Sequence, residues 1–168
     1  VVLTNQQQGV AFNTITNTLK DSYLGIENRD WLKTYTERYT KGNQQYDKEK
    51  ADTYAKVEVY KKEKSTKLTP EQFVGTYRDA WFGDVDIFLQ ENNLRISCKS
   101  SPRLKGELIP YSANTFIAVW DDRSYDADTF LIFDFDENGK AISAKMKPIS
   151  DVTDFSFDFG DLDLKKVE

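Results

Sequence analysis

The chain has 168 residues, 39% of them hydrophobic and 14% aromatic, enough for one domain with a real core plus a helical attachment. Its net charge of −5 is unevenly spread: 12 Lys/Arg stand against 9 Asp/Glu up to Lys67, and 11 against 19 from Leu68 onward. The acidic part repels phosphate backbones and argues against a nucleic-acid partner, no apolar run approaches the roughly 18 residues of a membrane span, and the lack of any His removes every Ser-His or Cys-His nucleophilic pair and the commonest zinc ligand.

The opening "VVLTNQQQG" reads as a β-strand over Val1 to Thr4, and such a strand needs a partner sheet. In "GVAFNTITNTLKDSYLG", Phe12, Ile15, Leu19 and Tyr23 are spaced by three and four, one face of a helix that Gly25 stops. A long amphipathic helix follows, with Asn28 as its expected N-cap and Asp30 near the positive end of its dipole. Trp31, Tyr35, Tyr39, Tyr46, Tyr54 and Val57 lie near one stripe of it. It is either continuous or broken at Gly42-Asn43, where an interior Gly costs about 1 kcal/mol.

Thr69 and Pro70 read as an N-cap and first helical residue, so "TPEQFVG" is a single turn. Beyond Gly75 the apolar period changes to 2, giving candidate strands at 76–80, 85–90, 94–99, 106–110, 115–120, 129–135, 141–148 and 155–159. About eight short strands separated by turn signals predict an antiparallel sandwich or barrel; closing the sheet would remove its edges. Cys98 falls in alternating "NLRISCKS" and reads as a buried strand residue.

Three stretches have the look of chemistry. "DFDENG" matches the first half of a calcium loop, but the twelfth position is Lys145 and the flanks are strands. A hairpin turn, with Asn138 and Gly139 in left-handed conformations, accounts for it. "DFSFDFGDLDL" alternates Phe155, Phe157 and Phe159 and then changes parity, as a bulge at Gly160 would produce. Its acids, with Asp151, suit either paired-carboxylate chemistry or an outward, solvated strand face. "WDDRSYDAD" is a loop that either rims a ligand pocket at a barrel mouth or carries a solvated Asp–Arg pair.

"QFVGTYRDAWFGDVDIFLQENNLRIS", through Phe73, Val74, Gly75, Thr76, Tyr77, Gly83 and Leu94, resembles the opening of a C-terminal domain found in many bacterial serine β-lactamase-related proteins. "GELIPYSANTFIAVW", through Gly106, Leu108, Thr115, Phe116 and Trp120, and "LIFDFDENGKAISAKM" are similar to later segments of the same domain. The resemblance implies a lipocalin-like barrel with no established activity. "VVLTNQQQ" and "AFNTITNTLKDSYLG" look like the last strand and C-terminal helix of the catalytic domain in such proteins, and "DWLKTYTERY" like the linker helix after it.

The expected organisation is therefore α+β: residues 1–27 a remnant of an upstream catalytic domain, 28–67 a long amphipathic linker helix, and 68–168 an antiparallel, about eight-stranded lipocalin-like barrel. Serine enzymes of that family need S-x-x-K and K-T-G or H-x-G, and neither occurs; Ser112-Ala113-Asn114 spells S-x-N only as an inter-strand turn. The expectation is a non-catalytic accessory module with no cofactor or metal. Its partner would be the upstream catalytic domain of the same polypeptide, with a homo-oligomer as a further possibility. Export to the periplasm is what the resemblance implies. The alternative is a barrel that binds a small apolar or peptide-like ligand through Tyr77, Trp81, Phe116, Trp120, Arg123 and Tyr125. An independent enzyme built on Asp pairs is the third reading.

Overall fold

A computed structural model of the chain describes residues 1–5, 9–63, 68–150, 153 and 158–167. It comprises two compact units, Val1–Lys48 and Glu49–Glu168.

In the first unit, residues 1–5 form no strand, and Val1 and Leu3 are exposed. A strand there would need a partner for its backbone groups, and among the described residues the sheet is closed on itself. Helix α1 spans Gly9–Leu24. It ends as its glycine predicts: Gly25 has φ +65° and Ile26 N–H reaches back to Asp21 O at 2.9 Å. Phe12, Ile15, Leu19 and Tyr23, the apolar stripe of α1, are all exposed.

Helix α2, Trp31–Glu63, runs unbroken through Gly42 and Asn43. Its cap is Asp30 rather than Asn28: Lys33 N–H donates to Asp30 Oδ1 at 2.8 Å, while Asn28 takes φ +65° in the connection. A carboxylate one residue from the first turn outcompetes an amide three residues away. Two side-chain bonds tie the start of α2 to α1, Trp31 Nε1–H to Asp21 at 2.6 Å and Asn17 Nδ2–H to the Tyr35 hydroxyl at 2.6 Å.

In the second unit, the last turns of α2 are held by polar contacts with loops of the sheet. Lys50 pairs with Asp126 at 2.7 Å, the Tyr54 hydroxyl donates to Asp128 at 2.7 Å, and the Ser150 hydroxyl bonds Glu49. A single 3-10 turn at Pro70–Gln72 then leads into the sheet, its Gln72 side chain accepting Thr69 N–H at 2.7 Å.

The eight strands are β1 Gly75–Asp79, β2 Gly83–Gln90, β3 Asn93–Cys98, β4 Lys105–Ser112, β5 Thr115–Trp120, β6 Thr129–Phe135, β7 Ala141–Pro148 and β8 Asp163–Lys166. Each pairs antiparallel with the next, and β8 pairs back to β1 (Tyr77 opposite Lys166, Arg78 opposite Lys165), closing the barrel. The tight hairpin between β2 and β3 puts Glu91 and Asn92 at φ 51° and 67°, the primed turn that follows the strand twist.

The last strand corrects the sequence reading. β8 lies at Asp163–Lys166, where no strand was expected; residues 155–157 of the expected strand fall outside the described residues, and Phe159 and Gly160 belong to a 3-10 turn, so Gly160 does not sit at a strand bulge. At the β6–β7 hairpin only Gly139 is left-handed (φ +73°); Asn138 is not, because the Asp136 carboxylate holds the turn by accepting the N–H groups of Asn138 and Lys140 at 2.9 and 2.8 Å.

Inward-facing alternate residues fill the barrel: Tyr77, Val85, Ile87, Ile96, Cys98, Leu108, Phe116, Trp120, Leu131, Phe133, Met146 and Leu164 are all buried. Phe73 meets Phe116 and Phe133 edge to face with centroids 4.7 and 4.9 Å apart. Burial drives the Cys98 thiol up to about 12, so it is a packed core residue rather than a nucleophile.

Gly106 sits where β4 crosses close to β5. A Cβ there would stand 2.1 Å from the Val119 carbonyl oxygen, whereas one on Gly160 would meet nothing within 4 Å. Gly106→Ala should therefore destabilise the barrel by about 1–3 kcal/mol, read as a lower urea midpoint, while Gly160→Ala leaves the midpoint near that of the wild type.

Candidate functional site

In an up-and-down barrel, alternate hairpins gather at one mouth. Here the β1–β2, β3–β4, β5–β6 and β7–β8 connections share an end and enclose a cleft of about 390 Å³. Trp81 and Phe82 come from the first connection, Pro102, Arg103 and Leu104 from the second, Tyr125 from the third, and Asp158, Phe159 and Leu162 from the fourth. Aromatic and apolar side chains dominate it, with a few polar groups at the edge, the usual make-up of a small-molecule site. The opposite mouth has a smaller cleft of about 270 Å³ whose lining includes Phe73, Leu94, Leu108 and Phe116.

The six residues read from sequence as ligand-binding do not converge. Trp81, 81% exposed, and Tyr125 line the first cleft. Phe116 borders the other one. Tyr77 and Trp120 are fully buried in the core, with the Tyr77 hydroxyl on Phe73 O at 2.8 Å and Trp120 Nε1–H on Ala127 O at 2.8 Å. Arg123 serves Asp128, described below. Sequence reasoning did not single out Phe82, Arg103, Leu104 or Leu162. The only signal was their position beside turn residues, which become neighbours once the barrel closes.

Asp79, at the last position of β1, is the main organiser of this mouth. It is buried, and its Oδ1 accepts the N–H groups of Trp81 and Phe82 at 2.8 and 2.7 Å, while Oδ2 accepts Asp163 N–H at 2.9 Å. One carboxylate thus fixes the turn that carries Trp81 and the first residue of β8. Those bonds, Phe82 first and Asp163 next, hold its pKa below the usual value. Phe159 continues the floor of the cleft into the core by stacking on Trp120 at 5.9 Å.

Arg103 lies over the Tyr125 ring at 5.1 Å and pairs with Asp122 at 2.5 Å. The Ser124 hydroxyl, then Arg103, lower the Asp122 carboxyl to about 2. Next to it, Asp128 is wholly buried. Arg123 grips it with two bonds, 2.7 and 2.9 Å, and the Tyr54 hydroxyl supplies a third at 2.7 Å. The Asp–Arg pair expected in this loop is present, but its carboxylate is sunk in protein rather than solvated. Burial, reinforced by the Asp128 bond, pushes the Tyr54 phenol well above its ordinary value.

Arg123→Ala leaves a buried carboxylate without its two-point ion partner, with Lys50 at 4.0 Å remaining, and should destabilise the second unit by roughly 3 kcal/mol, while Tyr54→Phe removes one bond and costs about 1 kcal/mol, both read from urea midpoints. The acid side has a definite sign. Asp79 and Asp122 bind their protons less readily folded than unfolded, so their stabilisation is present above the unfolded value of 3.8 and fades as pH falls below it. Between about pH 5 and pH 3 the wild type should lose stability, and Asp79→Asn, already weaker at pH 5, should lose less.

Among the described residues no helix is long and apolar enough to cross a membrane. No curated protein and no solved structure matches the chain. A protein-family model does match, over residues 59–166, from the end of α2 through β8. The chain accordingly belongs to the family described as Domain of unknown function (DUF3471).

Proposed function

We propose that this chain is a non-catalytic C-terminal accessory region of a β-lactamase-like serine hydrolase, acting on the parent's active-site access or assembly rather than on a substrate of its own. The observation that carries this reading is the family match over residues 59–166, which overlaps the stretch from Leu68 onward in which the sequence resembles the domain that follows the catalytic domain of such hydrolases. The exposed stripe of α1, Phe12, Ile15, Leu19 and Tyr23, supports it: these apolar residues suit the helix that covers the last sheet strand of a catalytic domain. In the barrel, the buried carboxylates Asp79 and Asp128 are committed to backbone N–H groups and to Arg123 and Tyr54, which suits a structural role. On this reading the parent is exported, its catalytic serine and lysine lie in the upstream domain, and the barrel needs no cofactor.

The test is the full-length parent with and without residues 68–168. The truncated enzyme should show an altered KM or kcat toward a chromogenic cephalosporin or a p-nitrophenyl ester, or a shifted elution volume, together with a lower Tm. Unchanged kinetics, elution and Tm would overturn the reading.

A further inference from the structure

The mouth that carries Trp81 has a feature that closing the barrel does not require. The turn between β1 and β2 holds an indole 81% exposed, beside a concavity, on a backbone that is fixed at both Trp81 and Phe82 by Asp79. A tethered, exposed aromatic loses little freedom when a ligand covers it, so burial of its face goes largely into affinity. The floor is equally firm, since Phe159 is stacked on the buried Trp120. The cleft's volume of about 390 Å³ is that of a small-molecule site.

Charge narrows the ligand. Among the described lining residues the cation is Arg103, which already has Asp122 at 2.5 Å and lies on Tyr125. Asp158, exposed at the rim, adds a further carboxylate. One guanidinium, already paired with Asp122, together with the Asp158 carboxylate leaves these side chains net negative, which repels an anion and attracts a cation. From this arrangement we infer that the mouth binds a small aromatic molecule bearing a protonated amine, its ring in the cleft beside Trp81 and Phe82 and its ammonium toward Asp158. This site is separate from the barrel interior, which Tyr77, Trp120 and Phe133 fill, and the inference does not depend on the accessory role proposed above.

The experiment uses the intact chain and three probes of matched size: 2-phenylethylamine, neutral 2-phenylethanol and anionic phenylacetate. Binding is followed by the Trp81 indole N–H and the Leu104 and Tyr125 amides in two-dimensional NMR. The amine should give saturable shifts at these positions, bind more tightly than the alcohol, and bind more tightly still than the carboxylate. Trp81→Ala should weaken the amine by about tenfold. Asp158→Asn should remove the preference for amine over alcohol while leaving alcohol binding intact. Both side chains are exposed, so the variants should keep the wild-type Tm, which is measured alongside. Amine binding that does not saturate, that is no tighter than the alcohol's, or that is unchanged in Trp81→Ala would overturn the inference.

Discussion

The barrel depends on closure through its shortest strand. β8 is four residues long, yet it pairs with β7 on one side and β1 on the other. Without it the sheet would have two free edges, with unpaired backbone groups and a core open along a seam. With it, the inward residues of all eight strands face one enclosed volume, and a chain with only about a hundred residues in this part can bury Trp120, Tyr77, Phe73 and Phe133 almost completely. Asp79 secures the seam where it is weakest, because the carboxylate that orders the β1–β2 turn also holds Asp163, the first residue of β8. Closure and the shape of the mouth are one constraint.

The same economy recurs where the long helix meets the sheet. Asp128, buried in the β5–β6 connection, is surrounded by an arginine from its own loop and a tyrosine from α2. A carboxylate in that position stabilises the fold only when all of its partners are present. It selects one placement for the last turns of α2 against the loop, which general apolar packing would specify less sharply. The exposed pairs on the barrel wall, Arg78 with Asp84 and Lys99 with Asp86, contribute far less because water competes for both partners.

These positioning carboxylates bear on function. The acid-rich C-terminal half of the chain has the composition of a carboxylate active site, but the two buried aspartates among the described residues, Asp79 and Asp128, are used as acceptors for backbone N–H groups, a tyrosine and an arginine. What the fold leaves unused is apolar: the stripe along α1 and the aromatic mouth around Trp81. Both are surfaces suited to recognition, which fits the accessory reading and the ligand site alike.

Local pattern alone predicts the helices and seven of the eight strands, because period and turn chemistry are local. Strands 115–120, 129–135 and 141–148 match to the residue, and the Gly25 stop and Pro70 turn stand where expected. The eighth strand was hidden, since the Phe-rich alternation at 155–159 is the stronger local signal, while Asp163–Lys166 becomes a strand only because β1 and β7 stand ready on either side of it. The cap at Asp30 is a competition between partners that the primary sequence does not rank, whereas residues 1–5 form no strand for want of a partner strand. The aromatic residues were legible, but not which of them face a cavity. Tyr77 and Trp120 differ from Trp81 only in lying on strands rather than on a turn, and only tertiary structure decides that the strand residues fill the core while four distant turns meet to form a mouth.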